Sequence, residues 1–128
     1  MCIRDSFTPL AQGLLTDKYI SDIPQNSRAL QGKSLDKDKL TGELIGNLRV
    51  LNDLAQSRNQ TLAQMALAWV LRGGRVTTAL IGASSAQQVI DCAQAVENLE
   101  FTDAQLAEID LLSGDQGINL WAQSSETA

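Results

Sequence analysis

The chain has 128 residues, of which 44% are hydrophobic and 20% charged, values that suit one globular domain burying roughly two-thirds of the surface its unfolded form exposes. A net charge of −5 argues against nucleic acid or an anionic membrane as the main partner, because either calls for a basic patch. There is no histidine, and the two cysteines, Cys2 and Cys92, stand far apart without a CxxC; the commonest general base and metal ligand are thus missing, no zinc site or disulfide framework is indicated, and a reducing, cytoplasmic setting is expected.

The first residues carry Arg4, Asp5 and Ser6 ahead of an apolar Phe7. Charges there fit poorly with a buried strand, so residues 1–6 are expected to be non-native sequence joined at a truncation point, with the domain running from 7 to 128. Residues 7–15 predict a strand end and turn, in which Pro9 stops regular pairing and Gly13 permits a close backbone approach. Residues 16–38 show neither helical nor strand periodicity and predict a long loop.

From Leu40 the spacing changes. Leu40, Leu44, Leu48, Leu51 and Ala55 recur at three- and four-residue steps and predict an amphipathic helix. Thr61-Leu-Ala-Gln64 is a capping box opening a second helix, which Gly73-Gly74 ends. Val76 to Ile81 is rich in β-branched residues and predicts a buried strand closed by Gly82. Ser84 or Ser85 caps the next helix, expected over about 86–97 with Val89, Ile90, Ala93 and Val96 as its apolar positions. A second capping box, Thr102-Asp-Ala-Gln105, opens a last helix carrying Leu106, Ile109 and Leu112. The longest apolar run, Met65 to Leu71, has seven residues, far short of the roughly 20 that span a bilayer.

This alternation is that of a parallel α/β architecture. Two strands are too few for a free-standing parallel sheet, so the inventory is incomplete as a domain. Within it, the junction Leu80-Ile-Gly-Ala-Ser-Ser-Ala-Gln-Gln88 joins a strand to a helix through small residues, which gathers free N–H groups and a helix dipole where an anion such as phosphate binds. Such a junction also serves as a plain helix cap, and the residues alone leave both readings open.

Ile81-Gly-Ala-Ser84 with Gln88 resembles the eighth-strand cofactor signature of the aldo-keto reductases, G-[AS]-S-x-x-x-Q-x-x-E-N. Thr8-Pro-Leu-Ala-Gln-Gly-Leu-Leu-Thr-Asp-Lys-Tyr19 is similar to their seventh-strand loop, Ile23-Pro-Gln-Asn-Ser-Arg28 to their Pro-x-x-Ser-Arg loop, and Thr61 to Leu71 to the helix before strand eight. Asn119-Leu-Trp-Ala-Gln-Ser-Ser125 resembles the branch that runs from bacterial L-glyceraldehyde 3-phosphate reductase to the potassium-channel beta subunits. The resemblance implies the C-terminal part, strands seven and eight with their helices, of a (β/α)8 TIM barrel that reduces small aldehydes or ketones with NADPH, NADH remaining open. It places Thr8, Leu10, Gln12 and Gly13 along the pyrophosphate and gives Lys18 and Arg28 to the phosphates. Ser84, Gln88 and Asp91 fall at the adenosine end, Ser84 near the 2′-phosphate. Three positions depart from the pattern: Asp91-Cys92 replaces Glu-Asn, Ser85 replaces a frequent arginine, and Asp17 replaces glycine.

In this family a tyrosine, lysine, aspartate and histidine from the first half of the barrel carry the acid chemistry. Here the only tyrosine, Tyr19, belongs to the loop motif, so the chain alone is expected to be inactive; a homo-oligomer of the whole protein remains open. Lys18, Arg28 and Asp91 also have a plain reading as solvated charges, Trp69 and Trp121 read as packing residues, and Cys92 as a small helix residue without a base to activate it. The alternative from a different class is an α/β interaction module without cofactor.

Overall fold

The computed structural model describes residues 5–7, 9, 10, 15 and 42–113. Within them two short strands and four α-helices follow one another as β1 (Asp5–Phe7), α1 (Gly42–Ser57), α2 (Leu62–Leu71), β2 (Thr78–Leu80), α3 (Ala86–Ala93) and α4 (Asp103–Leu112). The long loop expected over 16–38 and the tail from Gly117 lie outside the described residues.

Helix α1 exists because its leucines share one face. Leu44, Leu48, Leu51 and Ala55 are all buried, as their three- and four-residue spacing requires. The helix closes in a Schellman motif: the N–H groups of Asn59 and Gln60 donate to the carbonyls of Gln56 and Ala55 at 2.9 and 3.0 Å. Asn59 takes the left-handed backbone this closure needs, at φ 58°, a conformation asparagine tolerates better than most residues.

Both capping boxes form. In α2 the Gln64 N–H donates to Thr61 Oγ1 at 3.2 Å while the Thr61 N–H donates to Gln64 Oε1 at 2.9 Å; Thr102 and Gln105 repeat the pair in α4 at 3.2 and 3.1 Å. Thr61→Ala is expected to cost about 1 kcal/mol of α2 stability, read as an approximately fivefold faster amide exchange in its first turn, and an unchanged rate there would show that the cap is idle. Gly73 and Gly74, at φ 60° and 64°, turn the chain out of α2 through a 3-10 turn at Arg72–Gly74, a backbone that a Cβ would strain.

The core gathers Leu44, Leu48, Leu51 and Ala55 of α1, Leu62 and Met65 of α2 and Ile109 of α4, with Leu15, Trp69, Phe101 and Leu112 packed against it. Trp69 is a packing residue, as its place in the sequence suggests. Its ring also carries the Arg72 guanidinium at 3.9 Å, a cation–π stack whose arginine donates to the Trp69 carbonyl. The buried Trp69 Nε1 has no acceptor among the described residues.

β1 and β2 pair in parallel, Asp5 opposite Thr78, Ser6 opposite Ala79 and Phe7 opposite Leu80. A parallel pair needs a long crossover, and α1 with α2 belong to it. Two expectations are corrected here. The second strand is shorter than Val76–Ile81 and is not buried: Ala79 is half-buried, Thr78 is exposed, and Leu80 is 69% exposed. The third helix ends at Ala93 and tightens into a 3-10 turn at Gln94–Glu97. Its anticipated apolar face also faces solvent, with Val89, Ile90 and Val96 each more than half exposed, whereas Ala95 of the same stretch is buried. Periodicity marks which residues are apolar, not what they pack against: among the described residues β2 pairs with one strand only, and the buried residue of the α3 stretch is Ala95 rather than the expected four.

Candidate functional site

Because the two strands run parallel with Phe7 opposite Leu80, the segments that follow them leave from the same end of the sheet. Leu10 comes three residues after β1, and Ser84 four residues after β2. Parallel α/β sheets place their ligand sites at this carboxyl end. Leu10 is half-buried in a turn whose Leu15 N–H donates to the Leu10 carbonyl at 3.1 Å. Thr8, Gln12, Gly13, Lys18 and Arg28 lie outside the described residues.

At the β2–α3 junction the two serines divide the work. Ser85 is the N-cap: the Gln88 N–H donates to its Oγ at 3.3 Å. Ser84 donates both its backbone N–H and its hydroxyl to Gln88 Oε1, at 2.8 and 3.1 Å. This double contact fixes the Gln88 amide with its carbonyl toward Ser84, so Nε2 remains as a donor without a partner among the described residues. The N–H groups of Ala86 and Gln87, in the first turn of α3, have no acceptor within the helix. Ser84, Gln87 and Gln88 are all exposed. One turn on, Asp91 is half-buried and accepts from Gln87 Nε2 at 2.8 Å through its carboxylate.

The structure therefore joins Ser84 to Gln88 directly and reaches Asp91 through Gln87. The donor set is neutral hydroxyl, amide and backbone N–H. It fits the hydroxyls of a ribose and the edge of an adenine, and among the described residues it brings no cation to these side chains. The Cys92 thiol beside Asp91 is pushed up from its ordinary range, first by burial and then by the Asp91 charge, which favours the thiol over the thiolate. No group of three or more His, Cys, Asp or Glu that could hold a metal ion occurs among the described residues, nor is any helix there long and apolar enough to cross a membrane.

A second polar cluster escaped the sequence reading. Arg58 is only 7% exposed, and it donates Nε to Gln60 Oε1 (3.0 Å), Nη1 to the Glu100 carbonyl (2.7 Å) and to Gln105 Oε1 (2.9 Å), and Nη2 to the Asn98 carbonyl (3.3 Å). Its guanidinium stacks on Phe101 at 3.7 Å. Burial lowers its pKa from the ordinary arginine value, and the four neutral acceptors hold the charge in place. Gln60 Nε2 adds a 3.0 Å bond to the same Asn98 carbonyl. An open groove of about 320 Å³ lies alongside, lined by residues that include Arg58, Gln64, Gln94 and Glu97. With four of its five N–H donors engaged, Arg58 acts as a clamp between the α1–α2 turn and the segment leading into α4. The asparagine after it, in the left-handed position that closes α1, is the one local signal of that turn.

The aldo/keto reductase family model matches residues 5–113. Curated relatives include L-glyceraldehyde 3-phosphate reductase from Escherichia coli K12, 48% identical over 94% of this chain and 36% of that protein. The same-named protein of Escherichia coli O157:H7 is 46% identical over the same shares. A Schizosaccharomyces pombe protein named as a voltage-gated potassium channel subunit beta is 33% identical over 81% of this chain and 32% of its own length. The chain thus spans about a third of the length of these relatives. With a family match that takes in both strands, all four helices and the Ser84–Gln88 junction, the chain belongs to the aldo/keto reductase family.

Proposed function

We propose that this chain is the dinucleotide-binding C-terminal part of an oxidoreductase that reduces aldehydes or ketones to alcohols, its β1 and β2 being the seventh and eighth strands of a (β/α)8 barrel. The observation that carries the reading is the family match over residues 5–113. The Ser84–Gln88 geometry agrees with it. NADPH, or NADH in its place, supplies the hydride when bound. Ser84, Gln88 and Asp91 hold the adenosine end; Thr8, Leu10, Gln12 and Gly13 line the pyrophosphate, and Lys18 and Arg28 counter the phosphates. The substrate is a small carbonyl compound, with a phosphorylated three-carbon aldehyde the first to try in view of the relatives' name. The whole protein works in the cytoplasm without nucleic acid or membrane partners, and the tyrosine, lysine, aspartate and histidine of the acid chemistry come from outside this chain, which alone is inactive.

Position 85 gives the reading a test. Ser85 Oγ serves as a helix cap, and without a cation there the 2′-phosphate gains little, so NADPH and NADH are expected to bind within about tenfold of each other. Ser85→Arg adds a charge-assisted contact to the 2′-phosphate but removes the α3 cap, so NADPH should gain about tenfold relative to NADH. Equilibrium titration followed by tryptophan fluorescence reads both. If neither nucleotide binds wild type or variant, the cofactor reading fails and a cofactor-free module is favoured.

A further inference from the structure

The side chain of Gln64 does two things at once. Its Oε1 accepts the Thr61 N–H at 2.9 Å and so completes the capping box of α2. Its Nε2 donates across to α3, to the Asp91 carbonyl at 2.9 Å, and to Gln94 Oε1 at 3.3 Å. A glutamine needed only as a capping-box partner uses its oxygen alone; α4 shows the comparison, where Gln105 Oε1 takes both the Thr102 N–H and Arg58. The apolar packing of this stretch comes from Ala95, just past α3, whereas Val89 and Ile90 within α3 are half exposed or more. Gln64 is half-buried as a residue, and its bond to the Asp91 carbonyl is partly shielded, so that bond is less weakened by competition from water.

We propose that Gln64 is a positioning residue for the dinucleotide site: by pinning the Asp91 carbonyl to the rigid start of α2, it sets where α3 stands and hence where Ser84, Gln88 and the Asp91 carboxylate meet the nucleotide. The inference rests on the cofactor reading above. Gln64 itself lies on another helix and touches none of the proposed ligand atoms, so its effect passes entirely through α3.

Gln64→Glu separates the two jobs. A glutamate at this position still accepts the Thr61 N–H and completes a capping box. It has no N–H to give to Asp91, and its negative charge meets two acceptor oxygens. Hydrogen–deuterium exchange on the whole protein that contains this chain, with and without NADPH, reads the outcome. In the variant, amides of Val89 to Ala95 are expected to exchange about fivefold faster, the first turn of α2 and all of α4 keeping their rates. NADPH protection of Ser84 to Asp91 then needs about fivefold more nucleotide. Gln64→Met, which loses the cap as well, speeds α2 and α3 together. Exchange in α3 that stays at the wild-type rate in Gln64→Glu overturns the bridge. A uniform acceleration in all four helices overturns it too, since that marks general destabilisation. If NADPH protects nothing in the whole wild-type protein, the site falls and the purpose given to Gln64 falls with it; protection that survives Gln64→Glu undiminished removes the positioning role alone.

Discussion

Replacing Arg58 by alanine is expected to speed amide exchange in α4 about a hundredfold, the signature of losing about 3 kcal/mol of local stability. The size follows from what is left behind. Two backbone carbonyls, at Asn98 and Glu100, and the side-chain oxygens of Gln60 and Gln105 all accept from this one guanidinium. Each of these acceptors, most of them partly buried, costs up to about 1 kcal/mol when stranded without a donor, and the Phe101 face loses its cation as well. Only part of that sum appears, because water reaches the open groove beside the cluster. Arg58→Lys keeps the charge but cannot fork to four acceptors at once, so it should recover less than half of the loss. Gln105→Glu is the converse: it puts a carboxylate where the amide oxygen now meets Nη1 at 2.9 Å and should slow exchange in α4 severalfold. If alanine at 58 changes the α4 rates by less than threefold, the cluster is not what joins α4 to the α1–α2 turn.

Arg58 also marks where reading the sequence stops. The helices are legible because their determinants are local. Thr61 and Gln64, or Thr102 and Gln105, sit three residues apart, and the α1 leucines repeat with the helix period. The link between Ser84 and Gln88, four apart, is likewise within one helical turn of being visible. Arg58, in a stretch reading Ser-Arg-Asn-Gln, looks like solvated turn residues, while three of its acceptors come from positions 98, 100 and 105. No spacing rule reaches across some forty residues. The bridge from Gln64 to Asp91 is hidden for the same reason, and its residue was assigned fully by its capping role. For β2 and α3 the limit is different: periodicity names the apolar positions but does not say what covers them.

What covers them decides the second large effect, which is that the isolated chain is expected to self-associate. Leu80, Val89, Ile90 and Val96 expose between 51% and 69% of their surface, and β2 has one strand neighbour only among the described residues. Burying what remains open on four such side chains is worth about 4 kcal/mol, which offsets part of the freedom two copies lose on association. Pairing at a strand edge adds backbone hydrogen bonds between copies and strengthens the association. Sedimentation over a concentration series should therefore show mass rising with concentration. The triple variant Val89→Asn, Ile90→Lys, Val96→Gln should shift that rise to at least tenfold higher concentration while the helical circular dichroism is kept, since none of the three belongs to the buried cluster of α1, α2 and α4. The incomplete-barrel reading requires this behaviour, because a complete barrel covers that strand edge and that helix face from within. A chain that instead sediments as a monomer at several hundred micromolar and melts cooperatively is a self-standing unit, and the apolar face of α3 is then a surface kept open for a different protein.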